Sequence, residues 1–173
     1  MPEVYRSAEE IQERVVQLGL ELRDRAGDAS LLLVGVLKGA AVFFADLARA
    51  LPGESEFAFV RARSYGDRTE SSGEVKVEWA GPEEIADRTV VIVDTILDTG
   101  HTLVAVRDWV GAAGAARVFT CVLLDKAERR VVPIEADLVG FAVPDEFLIG
   151  YGLDYAGRYR SLPYLARMSA TDG

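Results

Sequence analysis

The sequence runs to 173 residues, 50% of them hydrophobic and 27% charged, with 28 acidic residues against 19 basic ones for a net charge of −9. That balance suits a folded domain with a sizeable core and excludes a disordered chain, and the acidity argues against a partner held through nucleic-acid phosphates. It leaves room for a phosphorylated small molecule, which local amides, a few cations and a metal ion can hold inside an acidic protein.

In chain order, Ser7-Ala8-Glu9-Glu10 reads as a capping box, and Ile11, Val15, Leu18 and Leu22 follow at helical spacing. Leu31 to Leu37 is a continuous apolar run, the mark of a strand covered on both faces. Gly39 interrupts it, and Ala40 to Leu51 is expected to be a helix whose Phe43 and Phe44 serve either the core or an interface. Phe57 to Ala62 and Val75 to Trp79 are expected strands. Between them, Ser64 to Gly73 is too polar to pack and too long for a tight hairpin. A second buried strand spans Val90 to Val93, a second helix Thr102 to Ala113, a third buried strand Val118 to Leu124, and a shorter one Leu138 to Phe141. Apolar strands alternating with helices predict an α/β fold with a largely parallel sheet, arranged as one domain over residues 1–173. The tail after Met168 is expected to fray.

No apolar run is long enough to cross a bilayer, the first residues lack a secretion-signal pattern, and the single cysteine, Cys121, lies within an apolar strand. The expectation is a cytoplasmic protein without a membrane partner, its thiol buried and inert.

The most informative stretch is Val90-Val91-Ile92-Val93-Asp94-Thr95-Ile96-Leu97-Asp98-Thr99-Gly100-His101-Thr102. A buried strand gives way to acids and small hydroxyl residues, then a glycine, then a helix. Such a turn gathers unpaired amides and a positive helix terminus around one point, a seat for phosphate. Thr99 and Thr102 add hydroxyls, and Gly100 permits close backbone approach. The alternative is an ordinary strand-to-helix turn in which Asp98 and Thr99 merely cap the helix.

This stretch resembles the phosphoribosyl pyrophosphate signature of type I phosphoribosyltransferases. Four further segments resemble the hypoxanthine-guanine branch: Val34 to Ala40, Ser64-Tyr65 with Glu70 to Val77, Leu123 to Lys126, and Val139 to Phe141 with Gly150 to Tyr155. The resemblance implies a twisted sheet flanked by helices, a flexible lid loop and a small hood region. It implies a magnesium-dependent enzyme of purine salvage that joins phosphoribosyl pyrophosphate to a 6-oxopurine base, as a dimer or tetramer.

It also implies roles. Asp98 becomes the base that manages the purine N7 proton, and Asp98, Thr99, Gly100, His101 and Thr102 surround the 5′-phosphate. Asp94 and Thr95 take the ribose, although the family commonly has Glu-Asp where this chain has Asp94-Thr95. Leu37, Lys38 and Gly39 form the pyrophosphate loop, whose first bond the family tends to hold cis, and Arg160 also contacts pyrophosphate. Lys126 donates to the purine 6-oxo group, Phe147 stacks on the ring, and the Leu148 backbone reads its edge. Asp154, with Asp94, serves the metal. Ser64 and Tyr65 begin the lid over a water-sensitive, oxocarbenium-like centre. Arg129 and Arg130 read as surface charge or as phosphate contacts, and His101 as a solvent-facing residue beside phosphate. Two rivals remain: a non-catalytic sensor of the same ligands, and an enzyme of the same fold acting on uracil or xanthine.

Overall fold

The fold was obtained as a computed structural model, and the structure describes residues 3–64 and 75–168. Its framework is a six-stranded sheet of β2 (Leu31–Val36), β3 (Ser55–Ser64), β4 (Val75–Ala80), β5 (Thr89–Leu97), β6 (Arg117–Asp125) and β7 (Leu138–Ala142), in the order β4-β3-β2-β5-β6-β7. Every neighbouring pair is parallel except β3–β4.

Strand periodicity explains why the central strands read as unbroken apolar runs. In β2, Leu31 and Leu33 pack on one side, and Leu32, Val34 and Val36 on the other. In β5, Val91 and Val93 take the first side, and Val90 and Ile92 the second. Helices α1 (Ala8–Ala26) and α2 (Ala41–Ala50) cover the first side, and α3 (His101–Ala112) covers the second.

The capping box at the start of α1 is present: the Glu10 amide donates to Ser7 Oγ (3.2 Å), and the Ser7 amide donates to Glu10 Oε2 (2.8 Å). Its buried stripe contains Ile11, Val15, Leu18 and Leu22, the residues its spacing singled out. Arg14 ties the helix to the sheet by donating to the carbonyls of Gly140 (3.0 Å) and Val139 (2.7 Å). Phe43 and Phe44 both lie in the core, which decides between the two roles left open for them. Cys121 is a buried free thiol, and burial pushes its pKa up to about 12. No helix among the described residues is long and apolar enough to cross a membrane.

Two features differ from the sequence expectation. A second, three-stranded antiparallel sheet joins β1 (Glu3–Arg6), β9 (Leu165–Arg167) and β8 (Leu148–Ile149) in that order. With two to four residues each, these strands are too short to show a period, so only a hood without elements was expected there. Strand β5 also runs on past Val93 to Leu97, because Asp94, Ile96 and Leu97 still pair with Val122, Leu124 and Asp125. Asp94 and Thr95 therefore belong to the strand and not to the turn after it. Residues 65–74, where the lid is expected, and residues 169–173 lie outside the described residues.

Candidate active site

The strand order reverses direction at β2 and β5. From β2 the chain crosses through α2 to β3 on one side, and from β5 it crosses through α3 to β6 on the other. The two connections leave opposite faces of the sheet, so a crevice opens at the carboxyl ends of these neighbours, the usual ligand position in open α/β sheets. A cleft of about 280 Å³ lies there, lined among others by Leu37, Gly39, Asp94, Asp98, Thr99 and Gly100.

The turn into α3 is built to present amides. Gly100 is the N-cap, at φ 93° and ψ −12°, and no side chain caps the helix. Neither Asp98 nor Thr99 does so, and the simple capping alternative fails. Among the described residues, the amides of Thr99, Gly100, His101 and Thr102 have no acceptor. The carbonyls on the same turn are engaged instead. Leu97 O accepts from the Lys126 amide (2.9 Å), Thr99 O from the amides of Val131 (2.9 Å) and Val132 (3.2 Å), and Asp98 O from Arg130 Nε (3.2 Å). Segment 126–132 thus holds the acceptors from behind while the donors face the cleft, an anion seat reinforced by the helix terminus. His101 is exposed at the first position of α3.

Asp94 lines the cleft, and burial pushes its carboxyl up to about 7 despite amide donation from Thr95 (2.7 Å) and Ile96. The side chain of Thr95 does not reach the cleft. It is fully buried, and its hydroxyl has no hydrogen-bond partner among the described residues. Alternation along β5 explains this departure from the ribose role, since neighbours on a strand face opposite sides.

The Leu37–Lys38 peptide bond is cis, as the resemblance implied, and the Lys38 side chain is exposed beside the cleft. Gly39 meets a second turn, Gly150 to Leu153. A Cβ on Gly152, which holds φ 95°, would stand 2.1 Å from the Gly39 carbonyl oxygen. Tyr151 pins this turn to α2 by donating its hydroxyl to Asp46 Oδ2 (2.6 Å). Asp154 follows directly, accepting from the Gly157 amide (2.8 Å) and pairing with Arg160 Nη2 (2.5 Å), and Arg160 Nη1 donates to the Gly152 carbonyl (2.6 Å).

On the other flank, Lys126 is buried, its ammonium 3.9 Å from Asp145 Oδ1. Arg129 Nε donates to Asp98 Oδ1 (3.1 Å). Phe147 is 53% exposed, an aromatic face left open rather than core, with Tyr155 edge-on at 5.9 Å. Leu148 is buried in β8. Ser64 ends β3, and Tyr65, with the rest of the expected lid, lies outside the described residues.

Comparison with known proteins fits this geometry. A phosphoribosyl transferase domain profile matches residues 7–156. The chain belongs to the phosphoribosyltransferase family. Among the relatives of this phosphoribosyltransferase, a hypoxanthine phosphoribosyltransferase of Salmonella typhimurium is 40% identical over 94% of this chain and 93% of its own. A hypoxanthine-guanine phosphoribosyltransferase of Bacillus subtilis is 44% identical over 92% and 88%. The crystal structure of a Staphylococcus aureus hypoxanthine phosphoribosyltransferase superposes with a TM-score of 0.91 at 37% identity, covering 96% of this chain and 91% of that one.

Among the described residues of this phosphoribosyltransferase, no group of three or more His, Cys, Asp or Glu could cage a metal. The donors present are single carboxylates, Asp94 in the cleft and Asp154 on the turn pressed against Gly39. That set fits magnesium, which keeps several waters and binds through one or two carboxylates together with substrate phosphates. Arg129, read from sequence as surface charge or a phosphate contact, pairs with Asp98, and the sequence offers no role for Asp145 or the Tyr151–Asp46 pair. For Tyr151, glycines on both sides were the available signal. For Arg129, its position three residues after Lys126 was the only one.

Proposed function

We propose that this phosphoribosyltransferase serves purine salvage, moving the 5-phosphoribosyl group of phosphoribosyl pyrophosphate onto hypoxanthine or guanine to give IMP or GMP and pyrophosphate. One observation carries the proposal: a helix uncapped by any side chain, with four amides unengaged among the described residues, stands beside Asp98 at the switch point of the sheet. The amides and hydroxyls of Thr99 to Thr102 hold the 5′-phosphate, and Asp94 accepts from the ribose hydroxyls. Leu37, Lys38, Gly39 and Arg160 take the pyrophosphate. Asp154 and Asp94 would hold magnesium, which when bound would supply charge neutralisation on the leaving group. Lys126 donates to the 6-oxo group of the base, Phe147 covers the ring, and the Leu148 backbone meets its edge.

As the purine nitrogen bonds to C1 and the bond to pyrophosphate breaks, Asp98 takes the N7 proton. Adenine offers an amino group where Lys126 needs an acceptor, so it is rejected. The protein acts as one domain over residues 1–173, as a dimer or tetramer in the cytoplasm, with Ser64 and Tyr65 starting a lid that keeps water out.

Labelled hypoxanthine, guanine, xanthine and adenine, each supplied with phosphoribosyl pyrophosphate and magnesium, test this directly. Hypoxanthine and guanine should yield nucleotide rapidly, and adenine should not. Failure of all four bases would leave a sensor of these ligands, and a preference for xanthine would reassign the substrate.

A further inference from the structure

The single turn Ala127–Arg129 connects two residues that the proposed reaction uses separately. Arg129 Nε donates to Asp98 Oδ1 at 3.1 Å, its Nη1 lies 3.8 Å from Asp145 Oδ2, and Asp145 Oδ1 lies 3.9 Å from Lys126 Nζ. Asp98, Arg129, Asp145 and Lys126 therefore form one alternating chain of charge. From this geometry we infer that Arg129 and Asp145 are positioning residues, which fix the proton acceptor Asp98 and the 6-oxo donor Lys126 relative to each other. The inference rests on the roles proposed above for Asp98 and Lys126.

Exposure, orientation and donor geometry all support it. The Arg129–Asp98 pair is 48% and 39% exposed, and Asp145 is 48% exposed, so these contacts add little to folding stability. Their consequence lies in orientation. Arg130 already holds the main chain at Asp98 through its carbonyl, while the Asp98 carboxylate is fixed by Arg129 through one oxygen, leaving Oδ2 without a partner among the described residues. Lys126 is nearly enclosed, so the carboxylate of Asp145 decides where its flexible ammonium points. Asp145 also stands two residues before Phe147, so the same link extends to the ring-covering side of the site. Guanidinium geometry matters because Nε and Nη1 reach two carboxylates at once from one rigid plane, whereas an ammonium is a point charge on a flexible stem that fixes neither orientation.

Steady-state kinetics on the whole chain test the inference, with Arg129→Gln, Arg129→Lys, Asp145→Asn and the Arg129→Gln/Asp145→Asn double variant. Arg129→Gln should lower kcat by about tenfold, the scale of one lost charge-assisted hydrogen bond. The KM for phosphoribosyl pyrophosphate should stay unchanged, because the amide cradle is untouched. Arg129→Lys should recover part of the loss. Asp145→Asn should raise the KM for hypoxanthine several-fold with the same silence toward phosphoribosyl pyrophosphate. Because both act through one chain, the double variant should be no worse than about the worse single variant. Unfolding midpoints should match wild type throughout. If wild type forms no nucleotide from any base, the functional proposal falls and takes this inference with it. If wild type turns over and Arg129→Gln does so equally well, or if the two losses multiply, the inference alone is overturned.

Discussion

Replacing Gly100 with alanine should damage folding and phosphate binding together, for reasons that can be sized from the backbone. Gly100 sits at φ 93°, in the left-handed region that costs an L-residue about 1–2 kcal/mol. An added Cβ would also stand 2.7 Å from Ile134 Cγ2 and 2.8 Å from Val132 Cγ2. Carbon pairs settle at roughly 3.5–4.0 Å, so the turn and segment 130–134 must part by about 1 Å. Overpacking of this kind costs about 1–3 kcal/mol. A combined loss of about 3 kcal/mol lowers the unfolding midpoint of a chain this size by roughly 6–12 °C. The same displacement moves the four donor amides away from the phosphate position, and misplacement by about 1 Å can cost up to 100-fold in rate. Thermal unfolding and initial rates at varied phosphoribosyl pyrophosphate are the measurements. Gly111→Ala is the control, since its added Cβ meets open space in the same helix and should stabilise by about 0.5–1 kcal/mol. A Gly100→Ala protein melting within about 2 °C of wild type, with an unaltered KM, would refute the packing argument and the phosphate seat together.

Other consequences follow from the same geometry. Asp98→Asn should cut kcat by roughly 100-fold or more with substrate binding largely kept, and near-normal turnover would remove Asp98 as the base. Lys126→Met should lower kcat/KM for hypoxanthine by about 100-fold while leaving adenine no worse, and equal losses for both bases would end its discriminating role. Asp94 titrates at about 7 in the folded chain, above the ordinary carboxylate range. Its protonated form is the one folding favours, so its contribution is fully present at acid pH and is lost as pH rises through about 7. Asp94→Asn should therefore gain stability over wild type at pH 8 and little at pH 4 (a pH-independent difference would contradict the assignment). Arg14→Ala should cost about 2 kcal/mol, or roughly 4–8 °C, through two lost carbonyl contacts to β7, read by thermal unfolding.

Local signals gave most of the sheet and little of the hood. The capping box and the stripe from Ile11 to Leu22 announce α1 because a helix needs both a satisfied first turn and one apolar face. Strands β2, β5 and β6 announce themselves because burial on both faces demands unbroken apolar runs, Leu31–Val36, Val90–Val93 and Cys121–Leu124. Leu148–Ile149 and Leu165–Arg167 carry no such message. Their pairing depends on partners far along the chain, and two or three residues cannot display a period. Arg129 was hidden for a similar reason: nothing near it in sequence reveals that a strand end some thirty residues earlier delivers Asp98 to its Nε.

Thr95 is a different case, because strand alternation decides where its side chain goes. The resemblance gives Asp94 and Thr95 one ribose role, and the apolar run by itself reads as a strand that ends at Val93. The run does not stop at Val93, however, and a strand that continues sends Asp94 and Thr95 to opposite faces. Val90 and Ile92 point toward α3, so Asp94 belongs on that side, where the chain turns into the phosphate seat. Val91 and Val93 point toward α1 and α2, and Thr95 follows them to a closed pocket, where hypothetical Cβ atoms on Gly39 and Gly152 would each lie 3.7 Å from its hydroxyl. A carboxylate enclosed there would need a partner, since an unpaired buried charge is far costlier than an unpaired hydroxyl. Thr95→Asp should therefore destabilise this chain by several kcal/mol unless a cation such as Lys38 turns inward to meet it, and Thr95→Val, which removes the unsatisfied oxygen at equal size, should be neutral or stabilising in thermal unfolding. A strong loss on Thr95→Val would mean that the hydroxyl has a partner and that the junction of Gly39, Gly152 and β5 is wetter than its geometry indicates.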